Sequence, residues 1–136
     1  MKKVFLGGTI SKSKWRDAVI NKLKIDYFNP IVEDWNENAQ QEEIRQRKEC
    51  NFVLYVLSPR MEGVYSIAEV VDDSNKRPEK TVFCYLKADN SVKDDVRTWS
   101  EHQLKSMKMV ANMVEENGAT VCADLTEVVN FLNSKT

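Results

Sequence analysis

The chain has 136 residues, the size of one domain, and a formal net charge of −1. Apolar residues at 42 % and charged residues at 30 % give a soluble, globular chain and exclude a disordered one. The absence of any block of like charge argues against a nucleic-acid groove built on electrostatics.

The apolar run after Met1-Lys2-Lys3 is too short for a signal peptide or a membrane span. In chain order, Val4-Phe5-Leu6 is the first expected strand, ending at Gly7-Gly8-Thr9. Ser11 or Ser13 can cap a helix carrying Trp15, Val19, Ile20 and Leu23. Ile25 to Phe28 reads as a second short strand, stopped by Asn29-Pro30. A polar loop over residues 31–38 holds Trp35, and a charged helix follows, about Ala39 to Glu49. The continuous apolar run Phe52 to Leu57 reads as a third, fully buried strand. Ser58-Pro59 then leads into a helix with Val64, Ile67, Ala68 and Val71 on one face.

Thr81 to Leu86 is a fourth expected strand, and a long helix is expected from about Asp94 to Glu116. Val96, Trp99, Leu104, Met107, Ala111 and Val114 lie near one face of it, and Gly118 suits its C′ position. Ala119 to Cys122 makes a short fifth strand, and Asp124-x-x-Glu127 is a capping-box pattern for a last helix through Leu132. This alternation predicts one α/β domain over residues 1–136, a doubly wound five-stranded parallel sheet in the flavodoxin-like order 2-1-3-4-5. The loops at residues 7–11 and 58–66 should then meet at the carboxyl edge, where open α/β sheets bind ligands.

Cys50, Cys84 and Cys122 are odd in number and form no C-x-x-C pair, which fits a reduced, cytoplasmic setting. The single histidine, His102, speaks against a His-based metal site, and no metal or cofactor is expected. Gly7-Gly8-Thr9 lets backbone N–H groups approach a ligand oxygen, but it is neither G-x-G-x-x-G nor a Walker A loop. Glu69 could serve chemistry at the sheet edge, or it could close a capping box with Ser66. Glu43 could serve the same site, or pair on the helix surface with Arg47 four residues on. Trp15 fits a core face; Trp35, in its polar loop, either plugs the sheet edge or stacks on a ligand.

Taken in order, these residues resemble the nucleoside 2-deoxyribosyltransferase superfamily, in its 2-deoxyribosyltransferase-like branch. The resemblance rests on the strand into Gly7-Gly8-Thr9, Trp15-Arg16, Asn29-Pro30 to Trp35-Asn36, the acidic helix to Glu49-Cys50-Asn51, and Ser58-Pro59 through Met61, Gly63 and Ser66 to Glu69. It spans roughly residues 3 to 86. It implies that Glu69 is a nucleophile that attacks the anomeric carbon of a nucleoside or nucleotide, with retention, and that Glu43 assists. It implies that Gly7, Gly8, Thr9, Trp15, Arg16, Met61, Gly63 and Ser66 bind substrate, with Gly8 and Thr9 at its sugar or phosphate, and that Trp35 with Asn36 contacts the base. It further implies a small-molecule substrate and a homo-oligomer; from charge and the short apolar runs, no nucleic-acid or membrane partner is expected.

Three positions depart from the family pattern. Asn51 stands for an aspartate, Phe5 for a tyrosine that orients the nucleophile, and Glu43 for a shorter aspartate. Full transferase activity, hydrolysis with water as acceptor, and a catalytically silent nucleotide-binding or sensor module are therefore all open. A receiver domain of the same topology is set aside, because Ser58 occupies the strand end where that fold needs an aspartate.

Overall fold

The structure is a computed structural model describing residues 1–136. Its elements are β1 (Lys3–Gly8), α1 (Trp15–Ile20), β2 (Asp26–Phe28), α2 (Glu37–Glu49), β3 (Phe52–Leu57) and α3 (Tyr65–Lys76), then a 3₁₀ turn (Pro78–Lys80). They continue as β4 (Thr81–Tyr85), β5 (Ala88–Val92), β6 (Asp95–Thr98), α4 (Glu101–Glu116), β7 (Thr120–Val121) and α5 (Leu125–Asn133). Five strands form one parallel sheet in the order β2-β1-β3-β4-β7, the order read from the sequence once the extra strands β5 and β6 are set apart.

Every residue of β3 is buried, because helices cover both faces of the sheet. Val4, Leu6, Leu54, Val56 and Val82 face α1 and α5, where Trp15, Val19, Val128 and Leu132 meet them. Phe5, Val53, Tyr55, Leu57 and Phe83 face α3 and α4, against Val70, Met107, Ala111 and Val114. Truncating a central residue such as Leu54 to alanine should cost about 2–5 kcal/mol, the range for deleting buried methyl groups without collapse.

The long helix begins later than its apolar spacing suggests. Residues 88–98 form an antiparallel hairpin, with Ala88 opposite Thr98 and Val92 opposite Asp95. Asp94 turns it at φ 58°, a left-handed conformation that aspartate tolerates better than most residues. Val96 is therefore an exposed strand residue, and Trp99 precedes α4 with its indole N–H on the Leu86 carbonyl at 2.6 Å. Ser100 and Gln103 close a reciprocal capping box that starts α4 at Glu101.

Two other helix starts also differ. Neither Ser11 nor Ser13 caps α1, whose N-cap is Lys14 without a side-chain bond. Val64, not Ser66, is the N-cap of α3, so Ser66 and Glu69 make no capping box. The expected apolar stripe of α3 is rotated as well: Val64 and Ala68 are exposed, while Glu69, Val70, Asp73 and Ser74 are buried. Paired partners for Glu69 and Asp73 permit this, since buried carboxylates persist only when ion-paired and hydrogen-bonded.

Candidate active site

Parallel pairing brings the ends of β1 and β3 to one edge, with Gly8 opposite Val56. The Thr9 N–H donates to the Val56 carbonyl at 3.0 Å, and the Ser58 N–H donates to Thr9 Oγ1 at 2.9 Å. Gly8 sits at φ 120°, and a Cβ there would lie 2.0 Å from the Val56 carbonyl oxygen, so only glycine fits. Arg16 shapes the same loop from beneath. Its buried guanidinium donates to the carbonyls of Leu6, Gly8 and Thr9. Burial lowers its pKa to about 10, a shift that nearby Glu43 partly offsets.

A cavity of about 470 Å³ opens at this edge, lined by Gly8, Thr9, Ile10, Ser11, Trp35, Gln40, Glu43, Ile44, Arg47, Met61, Glu62, Gly63, Tyr65, Ser66 and Glu69. A smaller lobe of about 300 Å³ adjoins it, with Gly7, Arg16, Pro30, Ile31 and Val32. Gly8, Ile10, Trp35, Glu43, Ser66 and Glu69 belong to both, so the two glutamates stand on the shared wall.

Glu69 is only 9 % exposed. Burial, and next the like charge of Glu43, push its carboxyl up to about 7, while Arg47 pulls the other way. Glu43 stands beside it on the same cavity wall. Two carboxyls placed side by side disfavour double ionisation. Arg47 does not pair with Glu43 as helix spacing suggests. Its Nη1 lies 3.5 Å from Glu69 Oε2, and its remaining nitrogens bond Asp72 and Asp73.

Of the sequence-predicted residues, Glu69, Glu43, Gly7, Gly8, Thr9, Arg16, Trp35, Met61, Gly63 and Ser66 come together around the two lobes. Trp15 does not: it is buried in the core, and its indole N–H donates to the Thr9 carbonyl at 2.9 Å. Asn36 is not a lining residue either; its side chain caps α2 by accepting from the Ala39 N–H at 2.8 Å. Trp35 is 57 % exposed, so it does not plug the sheet edge. Asn51 lies outside the cavity lining, accepting from the Lys3 N–H where β1 and β3 begin. Phe5 stacks on Phe28 at 5.9 Å and brings no hydroxyl to Glu69. Sequence reading missed Arg47 and Asp73 as site groups. The available signal was Asp72-Asp73, three and four residues after Glu69 and so on its face of α3.

No three His, Cys, Asp or Glu side chains are arranged to hold a metal ion. No helix is long and apolar enough to cross a membrane. The site is thus a cleft with paired carboxylates at the carboxyl edge of a parallel sheet. The family described as nucleoside 2-deoxyribosyltransferase like matches residues 1–88, from β1 through β4, and the chain belongs to that family. No curated protein matches it. The match ends where the β5–β6 hairpin begins.

Proposed function

We propose that the chain cleaves or transfers the N-glycosidic bond of a (2-deoxy)nucleoside or nucleotide, with Glu69 as nucleophile and retention of configuration. The observation that carries this reading is the Glu43–Glu69 pair on the wall common to both lobes. One member of such a pair can be ionised while the other keeps a proton, the two states this chemistry needs.

In the reacting state Glu43 acts as the acid, and ionised Glu69 attacks the anomeric carbon. The C–N bond breaks, its electron pair leaves with the base, and Glu43 supplies a proton to that base. The oxocarbenium-like transition state is stabilised by the adjacent negative charge and collapses to a sugar ester on Glu69. A second base, or water, then attacks the same carbon. The ester bond breaks, and Glu43 takes up the proton the acceptor loses. Gly8 and Thr9 line the sugar or phosphate part of the pocket, and Trp35 offers an exposed aromatic face to the base.

Base release from a panel of nucleosides and nucleotides tests this, together with the mass of a 2-fluoro sugar adduct present on wild type and missing from Glu69→Gln. A catalytically silent nucleoside-binding module is the second reading. It is favoured by the position of Glu69 at about 7, which leaves half of the carboxyls protonated near neutrality, suited to hydrogen bonding. Stoichiometric binding without turnover across the panel would decide for the module.

A further inference from the structure

We infer that Arg47, locked in place by Asp73, is a positioning residue that holds the Glu69 carboxyl in one orientation and favours its charged form over the neutral one. This rests on the reading of Glu69 as the working carboxylate.

The arrangement begins with Asp73, whose side chain is fully buried. A lone carboxylate there would be severely destabilising, and it is met from three sides. Tyr55 Oη donates to Oδ2 at 2.5 Å, Arg77 bonds Oδ1, and Arg47 binds both oxygens at 3.2 and 3.0 Å. The two-point contact fixes the guanidinium plane, as planar forks on carboxylates do. Nε and Nη2 are consumed by Asp73 and Asp72, and Nη1 is left on Glu69 Oε2. An arginine that only clamped α2 to α3 would need the Asp73 contact alone. Here its remaining edge lies in the cavity wall, on one oxygen of the buried glutamate.

The other groups around Glu69 cannot do this. Glu43, on α2, repels its charge, and so does Asp73 on α3. Tyr55, on β3, keeps its proton, since burial and then Asp73 raise it well above the ordinary value. Arg16, on α1, is committed to backbone carbonyls and acts on Glu43. Asp72 lies at the exposed end of the Arg47 fork, shared with Lys76. Arg47 is therefore the cation available to Glu69.

The test is a carboxyl ¹³C NMR titration of Glu69, its resonance assigned by loss in Glu69→Gln, run alongside the pH profile of base release. Arg47→Gln should raise the Glu69 midpoint by about one pH unit or more, the usual scale for losing an opposite charge within about 4–6 Å. Arg47→Lys should raise it less, and the acid limb of kcat/KM should move with the midpoint. An unchanged midpoint in folded Arg47→Gln overturns the inference. If that variant does not fold, Arg47→Lys decides. One ammonium cannot hold Asp73 at two points and also face Glu69, so a wild-type midpoint there overturns it too. The titration needs no turnover: shifted midpoints in a protein that releases no base uphold the hold of Arg47 on Glu69 and overturn the catalytic reading of Glu69.

Discussion

Two buried carboxylates at the same edge of the sheet have opposite environments. Asp89, on β5, is 4 % exposed and surrounded by donors. Ser13 and Ser58 hydroxyls reach it at 2.5 Å, the Ser91 N–H at 2.9 Å and Arg60 Nε at 3.0 Å. Burial alone would raise its pKa, but the bonds from Ser13, Ser58 and Ser91 outweigh it and hold the group below the usual carboxylate range. Glu69 has one cation at 3.5 Å and a second glutamate beside it, and it is pushed up. Burial costs both groups something; the donor count decides the outcome. Asp89 is a permanent charge that ties the hairpin to Ser58 and Arg60, and through them to the loop forming the Met61–Gly63 wall. Glu69 is poised to change its charge near neutrality, as suits the role proposed for it.

Breaking Glu69 should have the largest effect, and chiefly on rate. Glu69→Gln should lower base release by roughly a thousandfold or more, since an amide forms no sugar ester and carries no charge. Its fold should remain, checked by circular dichroism and urea unfolding. Breaking Asp89 should do the reverse. Asp89→Ala strands Arg60 in a buried site and should cost about 3–5 kcal/mol in urea unfolding, the scale for removing one partner of a buried ion pair. Any loss of turnover should follow the unfolded fraction and the loosened loop, without moving the acid limb of the pH profile.

Trp35→Ala should weaken several nucleosides alike by roughly 1–3 kcal/mol in calorimetry, the scale of base–aromatic stacking. Being exposed, it should leave the unfolding midpoint nearly unchanged.

The finest test of the contrast is stability against pH. The folded-state pKa of Glu69 lies above its ordinary 4.5, so its contribution is full below 4.5 and is lost as pH rises through about 7. Asp89 has a depressed value, so its contribution is present above its ordinary 3.8 and is lost only as pH falls through the folded value. Between pH 5 and 8, Glu69→Gln should flatten the decline in unfolding free energy seen in wild type. Over the same window an Asp89 variant should lower stability by a constant amount. A flat wild-type profile from pH 5 to 8 would contradict the environment described for Glu69.

The sequence alone determined the elements whose signals are local. The buried run of β3, the capping residue Asp124 of α5, and the Gly7-Gly8-Thr9 loop could all be read from spacing and residue type. So could the meeting of that loop with the Ser58 loop, which follows from parallel topology. The tertiary structure alone decided which polar groups pair. Arg47 bonds Asp73, 26 residues away, instead of Glu43 four residues before it, and Asp89 takes a bond from Ser13, 76 residues away. That choice turned the face of α3 and anchored a hairpin where periodicity suggested helix. Apolar periodicity reports which side of an element leaves water, an average over many weak contacts that neighbours in sequence share. A buried charge is satisfied by a few directional partners at about 3 Å. Only the folded chain brings those partners within reach.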